Sequence, residues 1–154
     1  MQIETFLVDK VKGAIKALYP ELRLGKIEVY GCSDEELLSV NNEHLQHDYY
    51  TDIITFDYSR GKKISGELFI SVDRVRDNAG LLGVDYKLEL VRVVAHGILH
   101  LIGFKDKTEG QATEMRLRED EVLVYLDKYG NVIMDRPYPP HLKRLLGEFY
   151  EVGK

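Results

Sequence analysis

The sequence predicts an α+β fold: a small mixed β-sheet of three to four strands packed with about five to six helices. Two observations lead there. Short runs with two-residue alternation gather in the first half of the 154 residues, and longer runs with helical spacing fill the second. Strands early and helices late is the order of an α+β chain rather than of an alternating one. A third observation, the lack of any internal repeat or low-complexity segment, leaves one folded unit as the expectation.

Glu4 to Leu18 has helical spacing of Phe6, Leu7, Val11, Ala14, Ile15 and Leu18, and Tyr19-Pro20 ends it because proline disfavours helix at the residue before it. Lys26 to Tyr30 alternates as a strand. Ser33-Asp34-Glu35-Glu36 has the pattern of a capping box, and Leu37, Leu38, Val40, Asn41 and Leu45 continue the helix it opens. Asp52 to Tyr58 and Glu67 to Val72 are two β-rich runs joined through a loop around Gly61, expected to be a hairpin without a tight turn. Val72-Asp73 begins a helix to about Leu82, and Tyr86 begins a longer one. Thr108 to Lys128 forms another, with Leu117, Val122, Leu123 and Leu126 on its inner face. Tyr138-Pro-Pro140 precedes a short terminal helix, His141 to Tyr150. The expected organisation is a single domain over 1–154 with a C-terminal extension from about 130.

Composition narrows the function classes. With 44% hydrophobic and 31% charged residues and no apolar run long enough for a bilayer, the chain reads as neither disordered nor membrane-spanning. Its first ten residues carry early acids and no long apolar block, so they do not read as a signal peptide. The lone Cys32 has no partner for an internal disulfide, which fits a reducing cytoplasm, and it reads as an inert thiol at a strand end. A net charge of −5 excludes coating of nucleic acid by bulk charge, and DNA is not an expected partner.

The chemistry concentrates in His96-Gly-Ile-Leu-His100-Leu-Ile-Gly-Phe-Lys-Asp106. On a helix, positions i and i+4 share a face, so two imidazoles close on one ion from the same side. Gly103 then stops the helix and lets the chain turn Asp106 back toward that ion. Two imidazoles and a carboxylate make a three-donor zinc set, one ion per chain, with the fourth position open for water; other divalent ions suit the same donors. Because Leu88 to Ile102 is apolar nearly all round, both histidines sit in a buried helix and require partners.

His96-Gly97-x-Leu99-His100-Leu101-x-Gly103-Phe104 resembles the signature of the bacterial YbeY proteins, zinc-dependent endoribonucleases of ribosomal RNA maturation and ribosome quality control. Asn41, Asp48, Thr51-Asp52-Ile53-Ile54-Thr55-Phe56, Gly66 to Ser71, and Met115 with Glu119 are similar to further parts of that family, and the resemblance covers roughly 26 to 128. It implies a single-strand endoribonuclease with ribosomal RNA or the small ribosomal subunit as partner. Two positions depart. Lys105-Asp106 stands where the family continues with an aspartate and a third histidine, which puts Asp106 at the third-ligand position and makes the site less positive by one charge. Leu45 stands where many members carry an arginine tied to activity, so that role is not transferred.

An RNA site on an acidic chain must be a local patch. The candidates are Lys105 and Lys107 beside Asp106, Arg60, Lys62 and Lys63 in the Gly61 loop, and Arg136, Lys143 and Arg144 in the tail. His44, His47 and Asp48 form a second cluster at helical spacing, read here as a wet polar face, and His141 carries no role. Asp52 and Glu67 are the strand carboxylates suited to orient water. Two other functions compete with the ribonuclease. A zincin-like metallopeptidase shares the histidine helix, yet Gly97 stands where such enzymes place a glutamate base. A non-catalytic RNA- or ribosome-binding factor with a structural metal needs a fourth protein ligand, for which His44, His47 or Asp48 would serve.

Overall fold

The computed structural model describes residues 5–45 and 51–130. In chain order the elements are α1 (Thr5–Leu18), β1 (Arg23–Cys32), α2 (Asp34–Leu45), β2 (Ile53–Asp57), β3 (Lys63–Ser71), α3 (Val72–Leu82), α4 (Tyr86–Ile102) and α5 (Glu109–Tyr125), followed by a π turn over Leu126–Gly130. The expected α+β class holds, with five α-helices and a three-stranded mixed sheet of order β1-β3-β2 among the described residues. β1 runs parallel to β3, and β2 pairs with β3 antiparallel, Ile53 opposite Ile70 and Asp57 opposite Gly66. The terminal helix expected from His141 lies outside the described residues.

The helix starts obey local chemistry. Ser33 Oγ accepts from the Glu36 N–H while the Glu36 carboxylate accepts from the Ser33 N–H, each at 3.1 Å, so the capping box opens α2. Thr108 and Gln111 form the same reciprocal pair at the start of α5. Three expectations are corrected. The hairpin turn is tight, because Arg60 and Lys63 exchange two backbone bonds of 3.0 Å around Gly61, whose φ of +58° suits glycine. Phe6 and Leu117 face solvent rather than the core, at 57% and 49% exposure. Amphipathic spacing allows more than one angular position for the apolar stripe, and Met115, Val122 and Leu123 set it on α5.

α4 is the centre of the molecule. Leu88, Leu90, Val91, Val93, Val94, Ala95, Ile98, Leu99 and Leu101 are all buried, in contact with α1, α3, α5 and the sheet. The sheet presents Ile64, Gly66, Leu68 and Ile70 on its buried face, while Phe69 stacks on Tyr30 and meets Phe56 edge-on across the other. Two glycines set how close α4 lies. A methyl at Gly97 would stand 2.5 Å from Leu68 Cδ2 and 2.7 Å from Ile53 Cδ1, and one at Gly66 would stand 2.8 Å from Leu101 Cδ2. The helix therefore rests on bare backbone at both points, which fixes the height of His96 above β2.

Opposite outcomes are expected for one substitution at two helical glycines. Gly97→Ala should destabilise by about 1–3 kcal/mol through overpacking, even after the gain in helix propensity. Gly13→Ala, with nothing within 4 Å of the new methyl, should stabilise by about 0.5–1 kcal/mol. Urea unfolding of the two variants checks both signs.

Candidate metal centre

His96 and His100 sit one turn apart near the end of α4, and Gly103, with φ +123° and ψ 0°, stops the helix where no other residue would be at ease. Its N–H donates back to His100 O and Leu99 O, and the Phe104 N–H donates to Leu99 O at 3.1 Å. Phe104 is held from outside by Tyr19, ring centres 6.1 Å apart, and by the Arg118 guanidinium over its face. The Thr108–Gln111 box pins the far end of the loop, and the Lys107 N–H also donates to Gln111. A loop anchored at both ends places Asp106 against the two rings.

The resulting triangle is regular. His96 Nε2 to His100 Nε2 is 3.0 Å, His96 Nε2 to Asp106 Oδ2 is 3.2 Å, and His100 Nε2 to Asp106 Oδ2 is 3.3 Å. A tetrahedral ion about 2.0–2.1 Å from each donor spaces neighbouring donors by about 3.3 Å, so the residues fit such an ion closely. The outer ring nitrogens strengthen that reading. His96 Nδ1 lies 2.7 Å from Glu119 Oε2, and His100 Nδ1 lies 3.0 Å from the Phe104 carbonyl. A carboxylate and a carbonyl only accept, so both Nδ1 atoms carry hydrogen and both Nε2 lone pairs point into the triangle beside a carboxylate oxygen. Three converging acceptors repel one another unless a cation or a proton lies among them, and among the described residues they are the group of three or more such side chains that could hold a metal.

Behind His96 runs a buried relay between α4 and α5. Glu119, 4% exposed, receives Arg92 Nη1 at 2.9 Å, and Arg92 Nη2 donates to Asp120 at 2.8 Å. Burial alone would lift the Glu119 carboxyl, but its bonds to His96 and Arg92 outweigh that and hold it below the usual range. Burial would likewise lower the His96 imidazole, yet Glu119, Asp106 and Asp52 together raise it. Asp52 itself is pushed up by burial, with His96 pulling the other way.

Two cavities meet at the triangle. The larger, about 600 Å³, runs along β2 from Thr51 to Asp57 and includes Asn41, His96, His100, Asp106 and Lys107. The inner one, about 320 Å³, opens between α4 and α5 and is lined by Glu89, Arg92, Val93, His96, Ala112, Met115, Arg116 and Glu119, with Asp52 and Asp106 shared with the larger. Lys107 thus stands at the centre, Lys105 is exposed beside it, and Arg60, Lys62 and Lys63 lie beyond the Asp57 end of the larger cavity, lining neither. Glu67 lies in mid-strand opposite Phe56, accepts from the Tyr58 hydroxyl at 2.8 Å and lines neither cavity, so of the two strand carboxylates only Asp52 reaches the site. His47, Asp48, Arg136, His141, Lys143 and Arg144 lie outside the described residues, as does the side chain of His44.

Sequence reading did not single out Glu89, Arg92 and Arg116. The signal was present. Glu89, Arg92, His96 and His100 are the strongly polar interruptions of the apolar helix after Lys87, and at 3.6 residues per turn they fall within an arc of about 80°.

These features define an α+β protein with a helix-borne set of three donors that could hold a metal ion, open to a groove. The family model described as Endoribonuclease YbeY matches residues 2–127, and the chain belongs to that family. It is 48% identical over 128 residues to the Endoribonuclease YbeY of Parabacteroides distasonis, covering 82% of this chain and 90% of the relative. With that of Bacteroides thetaiotaomicron it shares 54% over 101 residues, 66% of this chain and 74% of the relative. The solution structure of TM1509 from Thermotoga maritima shares the fold, with a TM-score of 0.60 at 24% identity over 90% of this chain and 96% of that one.

The relay should show in metal affinity. Glu119→Gln is expected to weaken zinc binding about 10–100-fold in a chelator competition. Protons compete with the ion for His96, so affinity in the unsubstituted protein should fall about tenfold per pH unit below the raised His96 pKa. Removing the Glu119 charge lets burial dominate, and the onset of that fall should move to lower pH.

Proposed function

We propose that this chain is a metal-dependent endoribonuclease that cuts single-stranded RNA, with His96, His100 and Asp106 holding one zinc ion. The observation that supports the reading best is the triangle of lone-pair donors with one side open to the groove, since a structural zinc site normally closes with a fourth protein ligand. When bound, the ion supplies a Lewis acid that lowers the pKa of water and polarises a phosphoryl oxygen. The protein's own residues do the rest. Glu119 and the Phe104 carbonyl orient the two rings, and Lys107 offers charge to the phosphate in the larger cavity. Asp52, on the wall shared by both cavities and shifted upward by burial, is the carboxylate suited to accept the proton of the attacking water.

The family and the acidic chain with local cations support RNA as substrate, and we extend the reading to ribosomal RNA of the small subunit, in the cytoplasm. No helix of the described residues is long and apolar enough to cross a membrane. The catalytic unit is taken as one domain, with the stretch from about 130 as an extension of it. The glutamate base that zincin-like metallopeptidases place after the first histidine is blocked here by packing as well as by sequence, because a Cβ at Gly97 would point into Leu68 and Ile53.

Cleavage of a labelled ribosomal RNA fragment by zinc-loaded protein should be abolished in His100→Ala purified identically. In Asp52→Asn it should fall about 10²-fold or more with the metal content unchanged. Equal cleavage by the His100 variant, or none by either protein, would move the reading to a binding factor with a structural ion.

A further inference from the structure

Glu89 is 6% exposed, lines the inner cavity, and has one carboxylate oxygen, Oε2, that is closed to solvent and without a hydrogen-bond partner, so the carboxylate presents both oxygens to the cavity only by turning about its last torsion. A buried carboxylate costs stability unless its oxygens are satisfied, and Arg92, its buried neighbour one turn along, is engaged by Glu119 and Asp120 instead. The walls beside it are of two kinds. Val93, Ala112 and Met115 are apolar, and Arg116 stands half-exposed at 3.5 Å from Glu119. The volume of about 320 Å³ accommodates one heterocycle with room for its sugar to leave toward the triangle.

We propose that this inner cavity is a guanine pocket, in which the Glu89 carboxylate receives the two adjacent donors of the base's Watson–Crick edge. The inference rests on the ribonuclease reading for its relevance to cleavage and on the cavity alone for its chemistry. Guanine is the RNA base that presents two neighbouring N–H donors, N1–H and N2–H, and those match both oxygens of one carboxylate. Uracil sets carbonyl oxygens on both sides of its single N–H, while adenine and cytosine set a ring acceptor beside their amine. Each of these three brings a lone pair against the carboxylate. With a divalent ion held at Asp106, the four carboxylates Asp52, Glu89, Asp106 and Glu119 are balanced by that ion, Arg92 and Arg116, so selection among the bases falls to the Glu89 hydrogen bonds. Burial raises the Glu89 carboxyl despite the opposing pull of Arg92 and Arg116, and two donors from a ligand would act against that shift, toward the ionised form. The larger cavity, with Lys107, is then left for the phosphate and the continuing strand.

The test is a titration of zinc-loaded, methyl-labelled protein with the four ribonucleoside 5′-monophosphates and inosine 5′-monophosphate, followed at the Val93 and Met115 methyl signals. All five share the phosphate, so differences among them report the base. The guanine nucleotide should saturate at least tenfold lower than the uracil one, with inosine, which lacks the 2-amino group, between them. In Glu89→Gln the preference should fall below twofold. Equal saturation by all five, or no movement at Met115 with any of them, overturns the pocket. A guanine preference in protein that cuts no RNA would leave the pocket standing and remove the nuclease reading. Loss of cleavage and of base preference would remove both.

Discussion

The structure depends on keeping three acceptor atoms together in a place where no cationic side chain among the described residues is bonded to them. His96, His100 and Asp106 meet within 3.3 Å, and every neighbouring element works to hold that geometry. α4 is pressed onto the sheet through Gly97 and Gly66, the loop after it is anchored by Phe104 and by the Thr108 cap, and α5 is tied on through Arg92. The Asp120–Arg92–Glu119–His96 chain is the costliest part of this arrangement. Three ionisable groups, Arg92, Glu119 and Asp120, are withdrawn from water there, and a buried ion pair gives little net stability over a well-packed apolar pair. Its value is positional: it fixes one tautomer and one ring orientation at the face where an ion would enter.

Most of the fold was legible because its elements carry independent local signals. The Ser33 and Thr108 caps, the Gly103 stop and the apolar run of α4 each specify one boundary or one face without reference to the rest. Errors arose where the decision belonged to tertiary packing. Nothing local distinguishes the exposed Leu117 from the buried Met115, and the turn at Gly61 is tightened by a cross-strand pair that sequence spacing alone leaves open.

The site was legible in its inner ring and obscure beyond it. Spacing along one helix and the glycine stop after it brought His96, His100 and Asp106 together, whereas Glu119 and Arg92 meet 27 residues apart in sequence, through the packing of α4 on α5. Asp52 could be named as a strand-end carboxylate, but only the pairing of β2 with β3 under α4 puts it at the junction of two cavities. Polar residues interrupting a buried apolar stripe are the transferable signal. Burial without a partner is expensive, so each such residue implies something facing it.

The carboxylate at Asp106 has a consequence for how charge is distributed around the groove. With two neutral imidazoles and one carboxylate, a divalent ion retains about one net positive charge, against two for a site of three imidazoles. A phosphodiester needs more cation than that, and Arg92 contributes none, being neutralised by Glu119 and Asp120. The deficit falls to the exposed cations at the rim, Lys107 in the larger cavity and Arg116 in the inner one. Glu119 and Arg92, which hold the His96 ring in place, are buried behind them. A buried acidic interior with an exposed basic rim suits a substrate whose bases carry donors and whose backbone carries charge.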